Sequence, residues 1–160
     1  MMRSAPWWSV VALLLVGCAG NVVYQDSVPV PDGAWDRALA PEFAFDITDT
    51  ISEHNVYIDV RHTGDYPFSD LFLFVDLWGP GDRHLRDTVE CLLADPMGRW
   101  YGKGTGFLFA DRHEAKVLYR LHKKFPTSGR YSIRLEQAMR TEKLPGVLDV
   151  GISVERAERR

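Results

Sequence analysis

The chain has 160 residues, 26% charged and 46% hydrophobic, with a formal net charge of −3 at pH 7. A slightly acidic balance argues against nucleic acid, whose recognition starts from a basic face. No repeat or low-complexity block divides the chain, so its length fits one ordinary domain.

The N-terminus decides compartment. Met1-Met2-Arg3-Ser4 is a short basic start, and Ala5 to Val16 is a mostly apolar run, shorter than the roughly 20 residues a membrane span needs. This pattern is that of a signal peptide. Leu15-Val16-Gly17-Cys18 resembles the bacterial lipobox, which implies diacylglyceryl transfer to the Cys18 thiol and cleavage before it. Residues 1–17 are then a removed leader, and residues 18–41 a lipidated N-terminus and extended tether. Each buried methylene contributes roughly 0.8 kcal/mol, so two or more acyl chains hold a protein on a membrane durably. Of the two cysteines an exported protein would pair, Cys18 is committed to the thioether. Cys91 is in phase with Leu85 and Val89 and reads as a small buried hydrophobe.

The stretch 21–41 carries Pro29, Pro31, Pro41 and Asp32-Gly33, an extended tether and turn; Trp35 reads as a plug on the domain edge. From Glu42 the period is two. Phe43, Phe45 and Ile47 alternate with Ala44 and Asp46, and Val56, Ile58 and Val60 with Tyr57, Asp59 and Arg61, marking half-buried strands. Leu71 to Trp78, apolar on both faces apart from Asp76, is a central strand. Gly79-Pro80-Gly81-Asp82 turns into a strand around Val89. Leu93 to Gly106 holds four glycines and a proline, which predict irregular structure, with Trp100 and Tyr101 either folded onto the core or facing a partner. Phe107-Leu108-Phe109, Lys116 to Leu121, Tyr131 to Leu135 and Leu148 to Glu155 supply further strands. Seven to nine short strands without a helical period predict an all-β domain over residues 42–155. The expected form is a single antiparallel β-sandwich, with a jelly roll as one candidate topology, followed by a solvated tail at 156–160.

Catalytic and metal motifs are sparse. Gly98 to Thr105 lacks the spacing, hydroxyl and strand-to-helix context of a phosphate loop, so no nucleotide is expected. The five histidines are scattered singly, and His113-Glu114 lacks the second histidine of a zinc helix; no metal or cofactor is expected. No Gly-x-Ser-x-Gly elbow is present. Asp76 and Glu90 interrupt apolar or alternating strands and are the carboxylates a glycoside hydrolase would need, subject to their separation. Trp78, Trp100 and Tyr101 could stack on sugar rings, which makes a glycan-binding module of the cell envelope the alternative reading, although aromatics mostly belong to cores.

Several segments, in order, carry a closer likeness: the lipobox, Phe43-Ala44-Phe45-Asp46-Ile47-Thr48-Asp49-Thr50, Asn55-Val56-Tyr57-Ile58, Arg61 to Phe74, Leu93-Ala94-Asp95-Pro96, Gly98-Arg99-Trp100, Gly102-Lys103-Gly104, Ala138-Met139-Arg140 and Asp149-Val150-Gly151. Together they resemble the gliding motility lipoprotein GldH family of Bacteroidetes over essentially the whole mature chain. The resemblance implies a cell-envelope lipoprotein connected with surface gliding and type IX secretion, with no enzymatic activity and only Cys18 carried over as a site; family members also occur in bacteria that do not glide. Ala19 after Cys18 is not the aspartate that retains lipoproteins at the inner membrane, and no acidic export signal follows, so the outer membrane and its periplasmic face are expected. Asp49-Thr50-Ile51 and Asp87-Thr88-Val89 are similar to the short O-glycosylation motif of that phylum, which makes Thr50 and Thr88 candidate acceptors. The expected partners are the membrane, through the acyl chains on Cys18, and other envelope proteins of the gliding and secretion machinery. Their expected contact is the loop carrying Arg99, Trp100, Tyr101 and Lys103.

Overall fold

The computed structural model describes residues 20–104 and 111–158. Cys18, the leader, Phe107-Leu108-Phe109 and the last two arginines lie outside the described residues. Within them the fold is all-β: β1 (Val22–Pro29), β2 (Ala34–Asp36), β3 (Glu42–Ile47), β4 (His54–Thr63), β5 (Asp70–Gly79), β6 (Arg83–Leu92), β7 (Lys103–Gly104), β8 (Arg112–Lys123), β9 (Gly129–Gln137), β10 (Lys143–Pro145) and β11 (Val147–Arg156).

Two antiparallel sheets face each other. One runs β1-β11-β4-β8-β7 and the other β3-β9-β5-β6, with a small β10-β2 ribbon beside them. The pairings are nested: β5 with β6, β4 with β8, β3 with β9, β2 with β10 and β1 with β11. The chain is therefore one long hairpin whose tip is Gly79-Pro80-Gly81-Asp82, rolled so that successive rungs fall alternately on the two sheets. That is the strand order of a jelly roll.

Period-two alternation decides what lies between the sheets. Val56, Ile58, Val60, Val150, Ile152 and Val154 point inward from one sheet; Phe43, Phe45, Ile47, Leu71, Leu73, Val75, Ile133 and Leu135 point inward from the other, and all are buried. Phe125 closes one end of this core against Phe45, Tyr131 and His54, with ring centroids 6.0, 4.8 and 5.5 Å away.

The folded unit starts earlier than residue 42. β1 pairs with β11 from Val22 to Pro29. Trp35, opposite Leu144 on the ribbon, is fully buried like Leu144 itself, and its indole N–H donates to the Leu39 carbonyl at 2.8 Å. Pro29 does not interrupt this, because β1 is an edge strand on which a missing N–H is tolerated, and Pro31 lies beyond it, opening the 3-10 turn Pro31–Gly33. At the other end β11 reaches Arg156, and the Ala157 N–H donates to the Glu53 carbonyl at 2.8 Å.

Candidate functional site

The loop after β6 is more ordered than its glycines suggest. The amides of Leu93 and Ala94 both donate to the Ser69 carbonyl, at 2.8 and 3.0 Å. Asp95 then organises a tight turn. Its Oδ1 accepts the amides of Met97 and Arg99 at 2.8 and 2.9 Å, and its Oδ2 accepts the Arg99 Nε–H at 2.7 Å. The Arg99 amide, with the Arg99 side chain and the Met97 amide, holds the Asp95 carboxyl below the usual range against the opposing effect of burial. The Gly98 amide donates to the Asp95 carbonyl at 2.9 Å from a left-handed backbone, and the Tyr101 amide returns to the Leu93 carbonyl at 2.7 Å. Glycine and proline here build a hairpin instead of excluding one. Gly102 is under a stricter demand: with φ at +89°, an added Cβ would stand 1.7 Å from the Glu114 carbonyl oxygen.

The hairpin sorts the loop residues by face. Trp100 turns inward onto His62, Tyr66 and His113, with centroids 4.7, 6.3 and 5.8 Å away. His62 is fully buried; its Nδ1 meets the Thr63 carbonyl at 2.9 Å and its Nε2 has no partner. Burial lowers its pKa. Outward go Met97, 81% exposed, Tyr101, 44% exposed, and Arg99, whose side chain is 80% exposed. Lys103 enters β7 opposite Glu114. Of the aromatic pair, Trp100 folds back and Tyr101 faces solvent.

Other sequence-singled residues fall elsewhere. Thr50 sits half-buried in the turn that Asp49 stabilises by accepting the amides of Ile51 and Ser52 at 3.0 and 2.9 Å. Thr88 is exposed at the middle of β6. Cys91 is buried, and burial pushes its thiol up to about 12, which leaves it protonated and inert.

Asp76 is buried on the outer side of β5. His84 Nε2, Arg86 and Arg134 contact it at 2.8, 2.6 and 3.1 Å. Burial raises its carboxyl, but hydrogen bonds from His84, Arg134 and Arg86 outweigh that and hold it low. Asp76 faces Arg86 in the register while Glu90 faces Phe72. The two carboxylate positions are thus four residues apart along the strands, roughly 13 Å, beyond the spacing of glycosidase pairs.

Trp78 is flanked by the stacked His84 ring at 4.9 Å from β6 and the Arg134 guanidinium at 4.9 Å from β9. With Trp100 also packed, Tyr101 is the one of the three proposed sugar platforms that stands open.

An open groove crosses the outer face of the larger sheet, lined by Ser27, Asp59, Arg61, Glu114, Lys116 and Asp149 and bordered by Tyr101. Arg61 Nε donates to Asp149 at 2.6 Å, while Lys116 lies 4.5 Å from the Tyr57 ring centroid and pairs with Glu155. Asp59 Oδ2 has no hydrogen-bond partner, and burial raises its pKa despite Ser153 and Lys116 nearby. Its only signal in the sequence was an acidic residue at an outward position of an alternating strand. Among the described residues no three His, Cys, Asp or Glu side chains are grouped to hold a metal ion.

The family model described as GldH lipoprotein matches residues 22–154. The chain is 29% identical to the gliding motility lipoprotein GldH homolog of Christiangramia forsetii, with 91% of each chain covered. It is 30% identical to the gliding motility lipoprotein GldH of Flavobacterium johnsoniae, with 92% of each covered. Among solved structures, a family GH115 4-O-methyl-alpha-glucuronidase with specificity for decorated arabinogalactans aligns at TM-score 0.42 and 13% identity, over 86% of this chain and 18% of that one.

Proposed function

The chain belongs to the GldH lipoprotein family, and from that premise we propose that it is a non-catalytic adaptor of the gliding motility and type IX secretion apparatus. Acyl chains on Cys18 hold it in the outer membrane, on the periplasmic face, and it acts by binding other envelope proteins. The family membership supports the motility lipoprotein; the partner contact is our own reading of the surface.

The observation that carries the contact is the hairpin locked by Asp95, which keeps Met97, Arg99 and Tyr101 in solvent. Leaving two large apolar side chains exposed on a rigid support is unfavourable unless something covers them. Tyr, Met and Arg are the types enriched where protein partners meet. The support also matters: a contact surface already ordered before binding loses less conformational entropy on association.

The test is photo-crosslinking in intact cells from a benzophenone amino acid placed at Tyr101 of the full chain, with Glu42 on the opposite edge of the smaller sheet as control. The expected result is a discrete protein adduct from position 101 that a further Met97→Ser, Arg99→Ser change weakens at least several-fold. Equal labelling from both positions refutes the assignment. A Cys18→Ser chain should leave the membrane fraction; if it stays bound there, the anchor is not the lipid.

A further inference from the structure

The four-stranded sheet ends in an unusual edge. β6 runs ten residues, Arg83–Leu92, paired with β5 on one side in unbroken register. Among the described residues nothing pairs with its other side. Natural sheets blunt such edges with proline, bulges, lysine or short strands, and the other edges here use these devices. β1 carries Pro29 and an irregularity between Val22 and Tyr24; β3 has only six residues and follows Pro41; the free side of β8 begins to be covered by β7. β6 has no proline, no lysine and no bulge. It also exposes two leucines, Leu85 at 43% and Leu92 at 55%. Its inward carboxylate, Asp87, is neutralised within the chain by Arg120 and accepts the Tyr119 hydroxyl at 2.5 Å.

We propose that β6 pairs antiparallel with β6 of a second copy, joining the two four-stranded sheets into one of eight strands. The charges choose both the partner and the register. In a two-fold antiparallel pair, opposed residues share a face, so the centre must fall on a residue. Centring on Asp87 would set aspartate against aspartate, on Arg86 arginine against arginine, and on Glu90 glutamate against glutamate; like charges directly opposed are unfavourable. Centring on Thr88 sets threonine against threonine and places Arg86 opposite Glu90 of the second copy, twice by symmetry. Leu85 then meets Cys91 and Leu92 meets His84, covering both exposed leucines. Glu90 is exposed on this face, opposite in sign to the end of the strand that carries Arg83 and Arg86, the latter reaching Glu90 of the second copy in addition to Asp76 and Glu136 of its own chain. Such self-complementarity is what a two-fold interface requires. The axis lies normal to the sheet, so the two Asn21 ends emerge level with each other, which allows both chains to be anchored in one membrane.

The test uses the full lipidated chain. In the proposed register the two Thr88 positions stand about 4.5–5.5 Å apart at Cα, within disulfide reach. Thr88→Cys should give a reducible species of twice the mass in cells, whereas Glu42→Cys, on the opposite edge, should not. Adding Glu90→Lys to Thr88→Cys turns both attractive pairs repulsive and should cut the cross-linked fraction about tenfold. Sedimentation of the unmodified wild-type chain in detergent keeps the proposal testable if a variant fails to fold, and a dimer mass is expected. Three results would overturn it: cross-linking at 88 no greater than at 42, a wild-type monomer at high micromolar concentration, or a glycan on Thr88 in the mature protein, which would block the edge.

Discussion

Trp35→Ala is the sharpest check on where this domain begins. The indole is fully buried, faces Leu144 across the β2–β10 ribbon and donates to the Leu39 carbonyl. Burying a tryptophan removes roughly 150–250 Å² from water, which at about 25 cal/mol per Å² corresponds to about 4–6 kcal/mol as an upper figure. Lost hydrogen bonding adds about 1 kcal/mol, and partial collapse of the void takes some back, so about 3–5 kcal/mol is the expected loss. A domain of this size should then melt roughly 10–20 °C lower. The assay is thermal and urea unfolding of the chain from Gly20 onward, beside Trp35→Phe, which keeps most of the apolar burial and should lose about half as much. A fall of only 2–3 °C for Trp35→Ala would mean that the ribbon is peripheral. A chain starting at Glu42, lacking β1 and β2, should fail to fold cooperatively; a sharp transition at the parental temperature would return the N-terminal segment to the status of a tether.

Acid sensitivity follows from two histidines. His54 and His62 are almost fully buried, and burial lowers the pKa of each. The unfolded chain therefore takes up protons near pH 6.5 that the folded chain refuses, so folding stability is greatest above that value and falls as the pH drops below it. Denaturant unfolding between pH 7.5 and 5 should show this slope, and His62→Phe should flatten it; an unchanged slope in the double His54→Phe, His62→Phe variant would exclude them as the cause. In the hairpin, Gly102→Ala should destabilise by about 2–4 kcal/mol, because its Cβ runs into backbone at 1.7 Å in a left-handed conformation. Gly98→Ala, with open space around it, should cost only about 1 kcal/mol. Equal losses in thermal unfolding would show that strain alone, not the approach of Glu114, sets the requirement at 102.

Strands with a clean period of two are legible, as is the continuous apolar run of Leu71 to Trp78: Phe43 to Ile47, Val56 to Arg61 and Tyr131 to Leu135 lie within strands, and so does that run. β1 is not, because Val22 to Pro29 is an edge strand whose burial is nearly uniform and low. Its strongest stabilising partner, β11, lies more than a hundred residues away. The hairpin after β6 was missed for a different reason. Glycine and proline signal broken structure in a sequence, whereas Asp95, Gly98 and Gly102 are each what a closed turn at that place needs.

The outward carboxylates show why a face can be read from one strand while its chemistry cannot. Asp59 and Asp76 have the same signature, an acid at an outward position in an apolar strand. Asp76 gained Arg86 from β6 and Arg134 from β9 as register neighbours and is held ionised by them. Asp59 gained Gly151 from β11 and Lys116 from β8, and Lys116 is engaged with Glu155 and Tyr57. Burial therefore prevails at Asp59 and its pKa rises. Alternation within a strand chooses the side on which a residue stands, but the rolled hairpin chooses its neighbours. Those neighbours decide whether a carboxylate is a structural ion pair or an unpartnered acid lining an open groove.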